Sequence, residues 1–275
     1  MKQRIITAIV LLIVAIPICI FSGTLLFPVV MAFIGVVGVY EMLGCMGTRK
    51  NYAIALPLYV MALISPFVVW YNHNSVLVSF KPNYDVILYP LLFGLYLLAV
   101  WVFSYQKNQE VDMNRIITSA IVSMYIIGAT CSIVMVREAV GGEYYWYFIF
   151  IGAWVTDVFA YFSGMLFGKH KLIEAVSPKK TVEGAIGGAV FCVAFFIAGG
   201  ALLNRFTQYD ISLVVLAIAG LISAFVSMIG DLSMSVIKRT YGVKDYGTIF
   251  PGHGGVLDRF DSILAVAVVM ALFLA

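Results

Sequence analysis

The chain has 275 residues, of which 63% are hydrophobic and only 11% are charged, and its mean hydropathy is +1.02. Soluble domains of this size carry roughly twice this share of charged residues, so the composition excludes an ordinary soluble protein. The net charge of +3 says little by itself, and no nucleic-acid partner is predicted.

Apolar segments of about 20 residues, the length of a bilayer-spanning helix, recur along the chain. They predict an all-α polytopic membrane protein with about nine transmembrane helices and no soluble domain. The predicted spans are 5–23, 25–44, 53–71, 86–104, 116–136, 145–167, 185–203, 211–234 and 257–275. The first starts with Lys2 and Arg4 like a signal peptide, but it lacks a small-x-small cleavage site. Another span follows at once, so we interpret it as an uncleaved anchor.

Basic residues are distributed unevenly between the two sets of loops. With the N-terminus inside, 14 of the 17 lysines and arginines fall on the cytoplasmic side. These are Lys2, Arg4, Arg49, Lys50, Lys107, Arg115, Lys169, Lys171, Lys179, Lys180, Lys238, Arg239, Lys244 and Arg259. The positive-inside rule therefore predicts a cell-membrane protein with its N-terminus in the cytoplasm and its C-terminus outside. The charged loops 168–184 and 235–259 then face the cytoplasm, where nucleotides are.

Three carboxylates lie where the predicted spans meet the cytoplasm. Asp231 is near the end of the eighth span, on a helix face of small and polar side chains. Asp258 and Asp261 share one side of the first turn of the ninth span. Asp258 and Asp261 could simply be acidic residues that stabilise a helix N-terminus. This explanation does not apply to Asp231, because a carboxylate near a helix C-terminus is unfavourable. The three are therefore candidates for binding a metal ion or a substrate.

Asp157 lies nearer the middle of the membrane, in the sixth span. It shares a helix face with Tyr161, Gly164 and Gly168, and Gly164-x-x-x-Gly168 is a close-packing pattern. A buried carboxylate at this depth needs a cation or a hydroxyl group as its partner. Asp157 could therefore have a functional role, or it could form only a structural hydrogen bond.

The segment 177–184 combines cations and hydroxyl groups just before the seventh span. Lys179 and Lys180 could hold a polyphosphate or anionic headgroups, although lysines here also satisfy the positive-inside rule alone. Thr181 is the predicted N-cap of the following helix. His253, which lies between two glycines, could contact phosphate, act as a general base or serve only as a loop donor. Phosphate contact is our preferred interpretation.

Much of the charge is gathered in Ser235-x-x-Lys238-Arg239-x4-Lys244-Asp245-x-Gly247-x3-Pro251-Gly252-His253-Gly254-Gly255-x2-Asp258-Arg259-x-Asp261. Carboxylates, cations and glycines that let backbone amides come close are typical of sites for phosphates and metal ions. This stretch resembles the signature of the phosphatidate cytidylyltransferases, or CDP-diacylglycerol synthases, along its full length. Segment 177–184, and Asp157 with Gly164 and Gly168, resemble upstream blocks of that family. We expect one membrane domain, 1–275, in which 1–140 carries no motif and 145–275 carries the catalytic spans.

The resemblance implies an enzyme that transfers the CMP moiety of CTP to phosphatidate, giving CDP-diacylglycerol and pyrophosphate in phospholipid biosynthesis. It implies Mg²⁺, a second and monovalent cation (K⁺), and a homodimer, which the small-residue helix faces would permit. The predicted catalytic residues are Asp231, Asp258, Asp261, Lys238 and Arg259, with Asp231 and Asp258 as the metal ligands. The predicted substrate-binding residues are Lys179, Lys180, Ser235, Arg239, Lys244, His253, Gly254, Gly255 and Asp157.

Three other functions could use the same residues. A related CTP-dependent nucleotidyltransferase acting on another lipid phosphate, such as an ether lipid, is an alternative that the sequence leaves open. A CDP-alcohol phosphotransferase is disfavoured because the chain lacks the Asp-Gly-x2-Ala-Arg run of that class. A secondary transporter would bind an ion at Asp157 and Asp231 in a broken helix. It is disfavoured because the sequence shows no internal repeat and its charged cluster lies at the membrane edge.

Overall fold

The structure is a computed structural model, and it describes residues 2–74, 113–174 and 176–274. Most of these residues are helical. The long helices are α1 (Lys2–Ile20), α2 (Leu26–Cys45), α3 (Tyr52–Asn74) and α4 (Met113–Glu138). Then follow α5 (Gly142–Tyr145), α6 (Tyr147–Phe150), a π-helical segment (Ile151–Val155) and α7 (Thr156–Phe167). The chain ends with β1 (Lys171–Ile173), β2 (Ser177–Thr181), α8 (Val182–Phe206), α9 (Leu213–Thr240) and α10 (Leu257–Leu274).

Six helical segments of the described residues are long and apolar enough to cross a membrane. They are Leu26–Cys45, Tyr52–Asn72, Asn114–Glu138, Gly142–Phe167, Val182–Phe206 and Leu213–Thr240. Each coincides with a predicted span, which confirms a mostly helical membrane protein. The fourth predicted span, 86–104, lies outside the described residues. Helices α1 and α10 overlap the first and ninth predicted spans, but they are not among these six segments. The total of nine spans and the orientation in the membrane therefore stay predictions.

Helix α10 lies among the other helices and holds the carboxylates of Asp258 and Asp261 in place. It packs against α9 on one side and α4 on the other, while α8 packs between α7 and α9. Its apolar side chains enter two buried clusters: Val266 packs with α8 and α9 residues, and Leu264 packs with α2, α3 and α4 residues. Burial of this apolar surface favours the fold and fixes the charged start of α10.

Glycines allow α7 and α8 to approach closely, as the sequence predicted. A Cβ atom on Gly184 would lie 2.6 Å from the carbonyl oxygen of Ala160 and 3.2 Å from Gly164 Cα. One on Gly188 would lie 2.8 Å from the carbonyl oxygen of Thr156. These separations are too short for any larger residue, so the close contact depends on glycine. It brings the Asp157 region of α7 next to the start of α8.

The lysine-rich segment forms an antiparallel β-hairpin, which the all-α prediction did not include. Lys171 pairs with Thr181, and Ile173 pairs with Ser177. Thr181 is the N-cap of α8, because its hydroxyl accepts a hydrogen bond from Gly184 N at 3.1 Å. This confirms the predicted cap. The hairpin therefore delivers its second strand, with Lys179 and Lys180, directly to a helix start.

Candidate active site

Asp231 lies well inside α9, which corrects one step of the sequence analysis. The predicted eighth span ended at residue 234, but the helix continues to Thr240. Asp231 is thus about two and a half turns from the helix end, where the helix dipole no longer disfavours a carboxylate. Ser235, Lys238 and Arg239 are on the same helix, so their spacing from Asp231 is fixed by helical geometry.

Four elements bring charged side chains together around Asp231. The ammonium group of Lys180, at the end of β2, forms an ion pair with Asp231, and both side chains are about one-quarter exposed (25% and 26%). Asp157 of α7 and Asp261 of α10 both lie close enough to interact electrostatically with Asp231. Asp157 is exposed rather than buried, so this cluster opens to the surface of the chain. The structure thus unites residues predicted separately.

Small residues next to the carboxylates make this convergence possible. A Cβ atom on Gly230 would lie 2.9 Å from the carbonyl oxygen of Asp261 and 2.7 Å from the Ala265 methyl group. Gly152, in the π-helical segment that precedes Asp157, lies close to both helices: a Cβ atom there would be 2.8 Å from Val266 Cγ1 of α10 and 3.2 Å from Ser223 Cβ of α9. Segments of π-helix are rare and are often found at functional sites.

Asp258 has a more enclosed position than Asp231. Its Oδ1 atom lies 2.8 Å from Lys238 Nζ, and the two side chains are only 3% and 12% exposed. Its Oδ2 atom accepts hydrogen bonds from the backbone amides of Tyr246 at 2.8 Å and Gly255 at 2.9 Å. Lys238 also interacts electrostatically with Asp261. Lys238 therefore lies between Asp258, with which it pairs, and the carboxylates of Asp231 and Asp261.

The loop between α9 and α10 (residues 241–256, the α9–α10 loop) contains a tight turn at Pro251-Gly252. His253 N donates to the carbonyl oxygen of Phe250 at 2.8 Å, and Gly252 has φ +78°, as a type II turn requires. Gly254 has φ +85°, and a Cβ atom there would lie 2.7 Å from Asp258 Oδ2. The glycines were expected to admit phosphate to backbone amides, but the Gly255 amide already binds Asp258.

The remaining predicted residues surround this loop. Arg259 Nε donates to the carbonyl oxygen of His253 at 2.9 Å. His253 Nδ1 is buried and has no hydrogen-bond partner within the described part of the chain, so it can accept or donate one bond to a ligand. Ser235 is half-buried. The side chains of Lys179, Arg239 and Lys244 are exposed, and their roles in substrate binding stay predictions.

Two residues at this site were missed by the sequence analysis. Glu41, in α2, is 2% exposed, and its carboxylate accepts hydrogen bonds from Val256 N at 3.0 Å and Leu257 N at 2.9 Å. Tyr246 is 6% exposed and donates its hydroxyl proton to the carbonyl oxygen of Met234 at 2.8 Å. Burial raises the pKa of the Tyr246 phenol, so it stays a neutral donor. Glu41 could have been found, because it is the one charged residue of the predicted span 25–44.

The donor set fits a hard cation that completes its coordination with water and substrate. Within residues 2–74, 113–174 and 176–274, no three His, Cys, Asp or Glu side chains are grouped as an all-protein metal cage. Mg²⁺ does not need one, since it commonly takes one or two carboxylates together with waters and phosphate oxygens. Asp231 and Asp258 are each balanced by a lysine, and Asp258 is oriented by two amides. Such outer hydrogen bonds are typical around metal ligands.

Comparisons with known proteins agree across the whole chain. The sequence profile of the Cytidylyltransferase family matches residues 2–275. A phosphatidate cytidylyltransferase of Staphylococcus saprophyticus is 32% identical over 281 residues, which cover 100% of this chain and 99% of that protein. The protein of the same name from Staphylococcus aureus is 31% identical over 274 residues, with the same coverage. One from Brucella abortus is 46% identical over 126 residues, covering 46% of this chain and 45% of that protein.

Proposed function

The chain belongs to the Cytidylyltransferase family, and on that premise we propose that it is a phosphatidate cytidylyltransferase. It would transfer the CMP moiety of CTP to phosphatidate, giving CDP-diacylglycerol and pyrophosphate. The observation that carries this proposal is the pair of ion pairs, Lys180 with Asp231 and Lys238 with Asp258, along the last three turns of the apolar helix α9. A reaction between a membrane lipid and a polar nucleotide needs charged groups at such a place.

Electrostatic repulsion is the main obstacle to this reaction. An oxygen of the phosphatidate phosphate attacks the α-phosphorus of CTP, a new P–O bond forms, and the bond to the β-phosphate oxygen breaks to release pyrophosphate. A phosphatidate phosphate of charge −2 and an α-phosphoryl group of charge −1 that lie about 4 Å apart repel by roughly 8 kcal/mol at an effective dielectric constant of 20. The lysines at positions 180 and 238 can offset part of this repulsion at the site.

Proton transfer is a smaller problem for this nucleophile. A phosphate monoester is already largely ionised near pH 7, so it attacks without a strong general base. The site accordingly requires cations and orientation more than a nucleophile–base pair. The unpartnered Nδ1 atom of His253 is well suited to a hydrogen bond with a phosphate oxygen, which is the role that we assign to His253.

Asp231 and Asp258 would hold Mg²⁺, with Asp261 supporting them from the same turn of α10. The metal would supply positive charge against the phosphate oxygens when bound. Lys180 and Lys238 each form an ion pair with one of these carboxylates, so their positive charges already lie beside the groups that would hold the metal ion, where they can bind substrate phosphate. The monovalent cation and the homodimer implied by the resemblance stay predictions.

We also propose that the site faces the cytoplasm, in a membrane protein of nine spans with an outside C-terminus. The 14 basic residues assigned to the cytoplasmic side support this orientation. Single cysteines placed in 169–180 and 240–252 should react with a membrane-impermeant maleimide only after permeabilisation. Cysteines near Asn72 and Asp210 should react in intact cells. Reaction of the 240–252 positions in intact cells would overturn the orientation.

The function is tested with purified protein, radiolabelled CTP, phosphatidate and Mg²⁺. We expect labelled CDP-diacylglycerol and stoichiometric pyrophosphate, and no product without phosphatidate. An ether-linked phosphatidate analogue in a parallel reaction distinguishes the related nucleotidyltransferase. Absence of a labelled lipid with either substrate, together with ion flux in proteoliposomes, would overturn the proposal in favour of transport.

A further inference from the structure

A carboxylate from the N-terminal half holds the start of α10. Glu41 Oε1 accepts the Val256 amide at 3.0 Å, and Oε2 accepts the Leu257 amide at 2.9 Å. The preceding amide, that of Gly255, donates to Asp258 Oδ2. Two carboxylates thus bind three consecutive amides at one helix N-terminus, where negative charge is favoured. Moving Glu41 would move the amide that orients Asp258.

Two glycines of the signature are explained by Glu41. A Cβ atom on Gly247 or on Gly255 would overlap with Glu41 Oε1, and neither glycine has a positive φ. Their small size, and not their backbone freedom, is therefore what this structure requires. The signature glycines at 247 and 255 leave space for a side chain that lies about 200 residues earlier in the sequence.

A second helix of the N-terminal half reaches the same loop. Thr7 Oγ1, in α1, donates to the carbonyl oxygen of Pro251 at 3.0 Å. The α9–α10 loop is thus held from two sides by helices that carry no recognisable motif. Glu41 is the stronger of these contacts, because it is buried and its hydrogen bonds are charge-assisted.

We propose that Glu41 is a positioning residue for the reaction, and that it sets the location of Asp258 and Lys238 through the start of α10. This inference rests on the proposed function for the catalytic roles of those two residues. The buried Asp258 has its Oδ2 fixed by Gly255 and Tyr246, so only Oδ1, next to Lys238, is left to face a metal ion or substrate. Loss of the Glu41 anchor would release this arrangement.

The first test replaces Glu41 by glutamine, with Glu143→Gln as the matched control. Glutamine has the same size, but its NH₂ group would face a backbone N–H where an acceptor is needed. Glu143 is also a carboxylate, and it accepts the Tyr209 hydroxyl at 3.2 Å. Tyr209 follows the end of α8, whereas the lysine-bearing hairpin of the site precedes the start of that helix. For E41Q we expect kcat to fall about tenfold or more and half-saturating Mg²⁺ to rise about tenfold, as for changes around metal ligands. For E143Q we expect neither change.

A residue that only stabilises the fold would lower the melting temperature without moving kcat per folded enzyme or the Mg²⁺ dependence. Normal kcat and Mg²⁺ dependence in folded E41Q would therefore overturn the proposal. A readout that needs no activity is tryptic cleavage after Lys244, an exposed residue of the α9–α10 loop. Faster cleavage in E41Q supports the anchor, and an unchanged rate contradicts it. This readout stays interpretable even if the wild-type protein makes no CDP-diacylglycerol, which would count against the proposed function alone.

The second test is a double-mutant cycle between Glu41 and Gly247. Gly247→Ala should lower the melting temperature and the activity, because its methyl group collides with Glu41 Oε1. In the Glu41→Ala background the collision is absent, so Gly247→Ala should add almost no further loss. Strong non-additivity supports direct contact. Fully additive losses would show that Gly247 is constrained by something other than Glu41 and would overturn the geometric basis of the inference.

Discussion

Lys238 Nζ lies 2.8 Å from Asp258 Oδ1, and both side chains are almost fully removed from solvent. A buried ion pair is stable only while both charges are present. If one partner is removed, the other charge stays buried, and no attraction offsets the free energy that its removal from water costs. The pair joins the end of α9 to the first turn of α10. It therefore has two separable effects, one on folding and one on chemistry.

Lys238→Met should destabilise the protein by about 3 kcal/mol or more, since it leaves Asp258 buried without its cation. Removing both charges in Lys238→Met/Asp258→Asn should restore much of this stability while activity stays lost. Thermal unfolding of the purified variants measures the first effect, and CDP-diacylglycerol formation measures the second. Lys171→Met is the control, because the Lys171 side chain is exposed and donates to the carbonyl oxygen of Pro178, which carries no charge. A stable Lys238→Met variant would contradict the buried-pair argument.

Asp231→Asn and Asp258→Asn should each lower kcat at least about a hundredfold, or about 2.7 kcal/mol, because a hard cation requires the carboxylate charge. Their stabilities should differ. Asp231 is about one-quarter exposed and lies beside other carboxylates, so its neutralisation should hardly change the melting temperature. Asp258 accepts bonds from three internal donors, so its neutralisation should also destabilise the fold. The measurement is a Mg²⁺ titration of activity with thermal unfolding alongside, and near-normal activity of either variant would reject it as a metal ligand.

Asp261→Asn should reduce activity less than these two changes, since Asp261 accepts the backbone amide of Ser262 at 2.8 Å and only neighbours the Asp231 group electrostatically. The expected loss is about tenfold, the lower end for residues around metal ligands. The same Mg²⁺ titration provides the comparison. If Asp261→Asn lost as much activity as Asp231→Asn, this result would indicate that Asp261 binds the metal ion directly.

The sequence was sufficient for the membrane helices and for most of the charged residues at the site. Hydropathy is a local property, so the six confirmed spans lie where they were predicted, and their ends differ by up to six residues, at the end of α9. The family signature, residues 235–261, contains Asp258, whereas Asp231 was predicted from its place on the small and polar face of the eighth span. The hairpin at 171–181 was missed because a Lys- and Pro-containing strand has no apolar alternation to reveal it.

Glu41 was missed for a different reason. Its partners are backbone amides that follow it by more than 200 residues, and no local pattern in a single sequence encodes such a contact. The two ion pairs were also unpredictable in detail. Sequence reasoning grouped Lys179 with Lys180, whereas the hairpin turns only Lys180 toward Asp231 and leaves Lys179 exposed. Alternation along a strand separates neighbours that look equivalent in the sequence.

Lys180→Gln should therefore impair the enzyme more than Lys179→Gln does. Lys180 has a fixed carboxylate neighbour, so its charge is already positioned where substrate phosphate would arrive, while Lys179 must be ordered from an exposed state. We expect the KM for CTP or phosphatidate to rise at least about tenfold for Lys180→Gln, the cost of about 1.4 kcal/mol of binding energy. Lys179→Gln should raise it only a few-fold. Unchanged kinetics in both variants would indicate that these lysines only help to set the orientation of the protein in the membrane.

Gly230→Ala tests whether the close approach of α9 and α10 is required at the carboxylates. The added methyl group would lie 2.9 Å from the Asp261 carbonyl oxygen and 2.7 Å from the Ala265 methyl group, and a backbone atom cannot move aside without shifting the helix. We expect a destabilisation of about 1–3 kcal/mol, as for overpacked cores, and a loss of activity larger than this stability loss explains.

Gly128→Ala is the matched control. It adds the same methyl group to a helical glycine of α4 that has no described atom within 4 Å of the new position. Higher helix propensity should leave Gly128→Ala neutral or slightly more stable. If Gly230→Ala behaved like Gly128→Ala in both melting temperature and CDP-diacylglycerol formation, the contact between Gly230 and Asp261 would have no part in shaping the site.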